Sequence, residues 1–584
     1  MKQLLLFFFL IPALTFAQTE SEKLEAIFKD IDAYENDGNP MDSLWRGLHP
    51  KSEFYPITQS SFEDRGKKLT QFIEELSAIQ DEKIERQAYI NKEIMLLRLN
   101  DQLSKINYKM YLIPFNAEGG FYNRMSFALS RLPFKTQADY EAYLGWLPHY
   151  AKWLNNHIKL LELGIEKGIV APKVIVQNTL LLLTTWTNPD PIKSPFYKPF
   201  LQMPNSISVE TQKQLQEQAY KVIAKDILGF YTFFKTFLQS DYLKASPKIP
   251  GVSELPSGKE YYEDRVRFYT TFEITPDSVH NLGLQEVARI RREMEKIVTD
   301  VGFKGNFGDF LQFLRTDEQF YAKTPQELLS HAAWLSKKAE AGLPKLFNKL
   351  YSLPFTVAPV PDDIAPTYTG GRYVPGSWAQ QRPGTYWVNT YQLESRPFYT
   401  LPSLTLHEAV PGHHLQGALA KELEGMPTFR HNYYISAFGE GWGLYSEFLG
   451  EEMGMYTTPF EWFGRYTYEM WRACRLVVDT GIHYKGWSRE KAVEYMASNT
   501  ALSMHEVNTE IDRYIGWPGQ AVSYKMGEIK IKALREKATQ ALGDNFDVRE
   551  FHNRVLRNGS VPLSILEEEI DAYIAEAMDS GQGR

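Results

Sequence analysis

Apolar residues recur every three or four positions along most of this chain. Leu69, Phe72, Ile73 and Leu76, then Ile90, Ile94 and Leu97, share a helical face within 67–114, and residues 140–168 and 208–240 carry the same period. Such stripes predict amphipathic helices whose apolar side faces a core. Residues 277–299 continue the pattern through Val287, Ile290 and Met294, with Asp277-Ser278 as the expected cap. Two stretches break it. Residues 245–258 are rich in Pro, Gly and Ser and read as a connection or domain boundary. Residues 355–402 contain many Pro and Gly together with TYWVNTYQL at 385–393. Alternating aromatic and β-branched residues there predict one or two short strands. From 403 the helical period returns and holds nearly to the end.

The expected fold is therefore predominantly α: a large helical body with a small β-sheet element beside a deep cleft. It divides into a helical N-terminal region, 18–250, and a C-terminal region, 251–584, that carries the chemistry. Composition narrows the function. Hydrophobic residues make up 43% and charged residues 23% of the 584, which excludes a disordered or fibrous chain. The net charge of −8, without a dense Lys/Arg run, argues against a nucleic-acid partner. The single cysteine, Cys474, excludes an internal disulfide and any multi-cysteine metal site. The first residues pair Lys2 with an apolar run from Leu4 to Phe16, followed by Ala17. That is the pattern of a secretory signal, with cleavage expected after Ala17 and Thr15 as the small residue before it. The run is short of the ~20 residues a membrane span needs. No cysteine follows it to take a lipid, and no later stretch is apolar enough to span. The expectation is an exported, soluble protein, periplasmic or secreted, with no membrane span after signal removal.

The chemistry concentrates at 404–416, LTLHEAVPGHHLQ. A His-Glu pair with a second His on the same helical face is how zinc peptidases are built: the imidazoles bind the ion and the Glu serves as general base. Spacing complicates this. The sixth residue after His407 is turned ~600° along a straight helix and faces away, whereas the seventh is turned ~700° and returns to the face but lies ~10 Å further on. Pro411-Gly412 offers a way out, because Pro breaks the hydrogen-bond ladder and Gly permits unusual dihedrals. A local bulge there would swing His413 back, so His407 and His413 are the expected ligands, with His414 as the second choice. Catalytic zinc usually takes a third protein ligand. Glu440 in SAFGEGWGLYSEFLGEE (436–452) lies among Gly439, Gly441 and Gly443. Glycines in a helix interior suggest that another segment approaches closely. Glu447, seven residues on, can orient a ligand histidine. The bland alternatives are a structural His cluster and a solvated acidic face.

HEAVPGHHLQ followed by EGWGLYSE resembles the bacterial family DUF885, which is related to the gluzincin metallopeptidases. LPSGKEYYEDRVRFYTT (255–271), GLQEVARIRREM (283–294), RPGTYWVNT (382–390) and DRYIGWPGQAVSYKMG (512–527) also resemble its blocks. The resemblance implies a gluzincin-like fold with one Zn²⁺ per chain on His407, His413 and Glu440. Glu408 is then the base, and Glu440 stands where the aminopeptidase branch has its Asn-Glu-Gly-Phe-Ala block. The gluzincin spacing is four residues; here it is six. Such peptidases use Tyr or His to stabilise the oxyanion, and Tyr524 and His483 are the candidates. Tyr524 reads equally as a packed aromatic and His483 as a helix-end residue beside Gly481. Asp479 can orient a histidine, Arg513 can hold a substrate carboxylate or form a surface ion pair, and TYWVNT can offer a strand edge to an extended peptide. The implied activity is hydrolysis of peptide bonds in short peptides, by an oligopeptidase or exopeptidase. The rivals are a non-catalytic exported protein that binds peptides or glycans, and a zinc hydrolase of non-peptide amides.

Overall fold

A computed structural model describes residues 19–581 apart from 37–39, 46, 51–53, 130, 363, 379 and 432. The apolar run and the cleavage point expected after Ala17 lie outside the described residues. The first stripe forms two helices, Gln59–Ser77 and Arg86–Asn107, that pack together through Leu69, Phe72, Leu76, Met95 and Leu99. Thr58 caps the first, its hydroxyl accepting from the Ser61 amide while Ser61 reciprocates. The second stripe is one long helix, α1 (Gln137–Lys167), that buries Tyr140, Tyr143, Trp146, Tyr150 and Trp153. The third is helical from Val209 to Ala245 but passes twice through π-helical turns, Ile223–Ile227 and Leu238–Tyr242.

Helix Pro276–Asp300 starts one position before expectation. Thr275, not Asp277, is its cap, and the Thr275 hydroxyl accepts from the Ser278 amide. Proline at the first helical position fixes φ and holds the preceding residue in the extended conformation a cap requires.

The non-helical segment supplies three strands rather than one or two. A two-residue hairpin comes first, β1 (Phe115–Asn116) with β2 (Gly119–Gly120). The larger sheet has β3 (Phe355–Pro359), β4 (Gly371–Val374) and β5 (Gly384–Val388) in the order β3-β5-β4. β3 runs parallel to β5, pairing Phe355 with Gly384, and β4 runs antiparallel, pairing Tyr373 with Tyr386. TYWV is thus the central strand, hydrogen-bonded on both sides, and cannot offer an edge. The two edges of the sheet belong to β3 and β4.

Of the nine α-helices described beyond the sheet, six matter for the site: α2 (Leu401–Glu408), α3 (His413–Lys421), α4 (Ser436–Glu452), α5 (Pro459–His483), α6 (Met504–Gly516) and α7 (Ser523–Leu542). α5 lies along Pro276–Asp300, and α4 lies along α7 and across α2. The protein is predominantly helical with a small sheet. The largest hydrophobic cluster of the described residues runs from Leu44 through Tyr150, Tyr386 and Trp442 to Tyr573, with three smaller ones beside it.

Candidate metal centre

The helix that would have carried the whole His-Glu-His run is broken in two. α2 ends at Glu408, and α3 begins at His413. The Val410–Pro411 peptide is cis. Gly412 passes so close to α2 that a Cβ on it would stand 1.9 Å from the His407 carbonyl oxygen, so only glycine fits. The Trp442 indole N–H donates to the Pro411 carbonyl at 2.8 Å and ties the link to α4. A break, rather than the expected bulge, therefore returns His413 to His407: the two rings stand 4.8 Å apart and perpendicular.

Glu440 completes the group. One ligand atom from each of His407, His413 and Glu440 falls within 4.8 Å of the others. Each Nε2 lies 3.4 Å from the same Glu440 Oε2. That is long for a charged hydrogen bond. Two ligands each ~2.1 Å from a tetrahedral ion stand about 3.4 Å apart, so the separation suits a shared cation. The donor set, two imidazoles and one carboxylate, also suits zinc. Electrostatics point the same way. Burial disfavours a charged His407, yet Glu440 and Glu447 outweigh it and raise the imidazole to about 9. Burial would raise Glu440, but His413 and His407 hold it well below the usual carboxylate range. The three side chains together favour a positive charge between them.

Glu447 does what its position suggests. Its Oε1 accepts from His407 Nδ1–H at 2.8 Å, which turns Nε2 toward Glu440. Arg472 on α5 stands 3.2 Å from the same oxygen. Of the glycines around Glu440, Gly443 faces His407, where a Cβ would stand 2.6 Å from Cε1, and Gly441 meets Gly527 of α7. The approach inferred from the glycines is made by α2 at one position and by α7 at the other.

Glu408 is 9% exposed. Its Oε2 accepts from the Tyr373 backbone N–H of β4 at 2.7 Å. Its Oε1 has no hydrogen-bond partner among the described residues. His414 turns away: its Nδ1 lies 3.1 Å from the Tyr373 hydroxyl, its ring packs against Tyr351 and Phe355, and burial lowers it to about 4. It belongs to the packing, not to the ligand set.

The two oxyanion candidates separate. Tyr524 is half-buried in the first turn of α7, with Arg475 4.1 Å from its ring centre. Burial and then Glu440 raise its hydroxyl, against Arg513 and Arg475. It therefore stands within the field of the cluster. His483 is not brought there. Its Nε2–H donates to the Tyr514 carbonyl at 2.9 Å and its Nδ1 accepts from the Val252 amide at 3.2 Å. With both nitrogens spent on backbone and burial lowering it to about 4, it ties segments together. Asp479 orients no histidine; it accepts from the Tyr262 hydroxyl and the Gly519 amide. Arg513 is half-buried, paired with Glu510 and donating to Gln520.

Residues 40–570 match the family described as bacterial protein of unknown function, DUF885. The chain belongs to DUF885. No curated protein matches it. Among solved structures, a candidate lipoprotein from Colwellia psychrerythraea is 27% identical, with a TM-score of 0.86 over 96% of this chain and 100% of that one. A candidate lipoprotein of unknown function from Shewanella oneidensis is 18% identical, with a TM-score of 0.72 over 94% of this chain and 99% of that one, and shares the fold. Among the described residues of this DUF885 protein, no helix is long and apolar enough to cross a membrane.

Three residues near the centre carried no sequence signal. Tyr373 acts through its backbone, which no side-chain pattern reveals. Arg472 meets Glu447 only because α5 crosses α4. Tyr434, six residues before Glu440, is half-exposed, with its ring 6.4 Å from that of His413.

Proposed function

We propose that this DUF885 protein is an exported zinc-dependent hydrolase of peptide bonds in short peptides, with a gluzincin-like centre on His407, His413 and Glu440. The observation that carries the reading is the pair of 3.4 Å contacts from two imidazoles to one Glu440 oxygen, with Glu408 beside them. The ion, when bound, supplies Lewis acidity toward a scissile carbonyl. Glu447, accepting Nδ1–H, fixes the His407 tautomer in which the Nε2 lone pair would face the ion once the Nε2 proton is lost. Glu408, steadied on one oxygen by Tyr373 N–H, takes a proton on the other from the attacking water and gives it to the leaving amine. The Tyr524 hydroxyl, held protonated, donates to the developing oxyanion. The open edge of β4 runs beside Glu408 and receives an extended peptide through its outward backbone groups. The cleft then lies between this edge and α4. Export accords with the apolar N-terminal run and with the lipoprotein description of the structural neighbours.

The test is zinc content and peptide hydrolysis of purified residues 18–584. The expected outcome is about one zinc per chain, lost in His407→Ala and Glu440→Ala. Glu408→Gln is expected to keep the metal and lose roughly 10²–10⁴-fold in rate, the usual worth of a general base. A chain that takes no zinc on reconstitution, or a fully active Glu408→Gln, overturns the reading and leaves a peptide- or glycan-binding protein as its successor.

A further inference from the structure

Among the described residues six arginines are buried: Arg265, Arg396, Arg430, Arg465, Arg472 and Arg475. Five have side-chain partners. Arg265 pairs with Asp101 and Asp264, Arg465 with Glu451 and Glu469, Arg472 with Glu447 and Arg475 with Glu510, while Arg430 donates to Asn91 and the Asn558 carbonyl. Arg396 differs. It is 9% exposed, its Nε is buried without a hydrogen-bond partner, and its guanidinium makes no hydrogen bond or ion pair with any described residue. A desolvated guanidinium that makes no hydrogen bond is costly to keep, unless something else supplies the acceptors.

Arg396 lines a recess of about 600 Å³, counting its open mouth. The recess lies between the start of β4, the segment that leads into α2, and the first turn of α6. Three polar groups converge in it. A Cβ placed on Gly370 would stand 3.9 Å from Arg396 Nη1, 4.0 Å from Glu506 Oε1 and 4.0 Å from the Tyr468 hydroxyl. Leu401 and Leu404 of α2 form part of the wall, and Leu404 lies one turn before Glu408 on the same helix. Gly370 also lies three residues before Tyr373, the residue whose N–H holds Glu408. Three strand residues span about 10 Å. The recess therefore opens at the start of β4, about 10 Å along the strand from the residue that holds the base.

We infer that this recess is a subsite for a substrate carboxylate, gripped by the Arg396 guanidinium and the Tyr468 hydroxyl two or three residues from the scissile bond. The planar fork of arginine matches a carboxylate in two parallel hydrogen bonds. Glu506 shares the recess, where burial raises its carboxyl and Arg396 lowers it. Its position opposite Arg396 also limits the recess to one anionic group. The carboxylate has two sources in a peptide, a free C-terminus or an acidic side chain. The inference rests on the peptide reading of the metal centre for its substrate, but on Arg396 alone for its anion.

The test is calorimetric binding to zinc-loaded Glu408→Gln protein, which the proposed reaction leaves unable to turn substrate over. The probes are Ala-Ala-Ala, its C-terminal amide, Ala-Ala-Glu amide and succinate. The expected result is that a carboxylate strengthens binding by about 10–100-fold over the plain amide, the usual worth of a charged hydrogen-bond pair. Preference for free Ala-Ala-Ala identifies the C-terminus as the source; preference confined to Ala-Ala-Glu amide identifies the side chain. Adding Arg396→Gln is expected to abolish the preference with zinc content unchanged. Adding Arg396→Lys is expected to restore part of it, which a folding defect would not do. Glu506→Gln is expected to keep it. Equal binding of acid and amide, a preference that survives Arg396→Gln, or succinate binding that depends on Glu506 rather than Arg396 each overturns the inference. If no peptide binds but succinate does so through Arg396, the anion site stands and the peptide reading falls.

Discussion

Two long helices cross the interior of this protein, and they are buried by different means. α1, in the N-terminal region, fills its buried face with Tyr140, Tyr143, Trp146, Tyr150 and Trp153 and includes no buried carboxylate, lysine or arginine. α5, behind the His407–His413–Glu440 cluster, buries Arg465, Glu469, Arg472, Arg475 and Asp479 along one rod. Aromatic packing gives α1 large apolar area and edge-to-face contacts without desolvating charge. Charges in a low-dielectric interior give α5 no comparable stability, because desolvation offsets most of the attraction. What α5 gains is control of the groups in front of it. Arg472 holds Glu447, which holds His407; Arg475 lies over Tyr524. Buried charge gathers where protonation and orientation have to be set.

The sharpest way to break this contrast is to crowd the centre from α4. Gly443→Ala places a methyl group 2.6 Å from the His407 ring, so the ring or the helix has to move. Overpacking of this kind costs about 1–3 kcal/mol. The expected outcome is loss of stoichiometric zinc together with a lowered unfolding temperature of the metal-free protein, read by elemental analysis and calorimetry. Zinc binding at the wild-type level would show that the close approach does not fix His407.

A smaller effect is expected one layer back. Glu447→Gln keeps the shape but removes the carboxylate that accepts His407 Nδ1–H and balances Arg472. Partners behind a metal ligand typically contribute about 10–100-fold in metal affinity. Competition with a chelator should show a loss in that range, and an unchanged affinity would reduce the Arg472–Glu447–His407 chain to packing.

The same contrast explains what could be read in advance. Leu69, Phe72 and Leu76 announced their helix because burial imposes a 3.6-residue period on local sequence. His407, His413, Glu440 and Glu447 were legible because their chemistry demands particular residue types at restricted spacings. The partition between β4 and β5 was not legible, because which strand takes the edge depends on a parallel pairing with a segment some thirty residues away. Nor were Arg472 and Arg396, whose meaning comes only from helices that meet in space. His483 was misread for the related reason that a histidine at a helix end looks the same whether it faces a cleft or the Tyr514 carbonyl.

The last and most local prediction concerns the histidine that α1 buries deeply. His157 stacks on Phe121 at 4.2 Å, meets the Trp153 ring edge-on and donates Nδ1–H to the Trp153 carbonyl. Burial lowers it to about 4, against the help of that hydrogen bond and with a contribution from Arg124. An unfolded chain protonates the same side chain near 6.5. Between those values the unfolded state binds more protons, so stability is full above about 6.5 and declines as pH falls toward 4. The loss from this single group is about 2 kcal/mol at pH 5. His414 and His483, lowered in the same direction, add to the total decline. His157→Phe removes one increment. At pH 7.5 it forgoes only a hydrogen bond worth about 1 kcal/mol, partly returned as apolar contact. Urea unfolding at pH 7.5 and 5 should therefore show a smaller acid loss in the variant, by about 2 kcal/mol, with zinc content at pH 7.5 unchanged. An equal acid loss in both proteins would mean that His157 takes up its proton without unfolding, and that the aromatic half tolerates a charge after all.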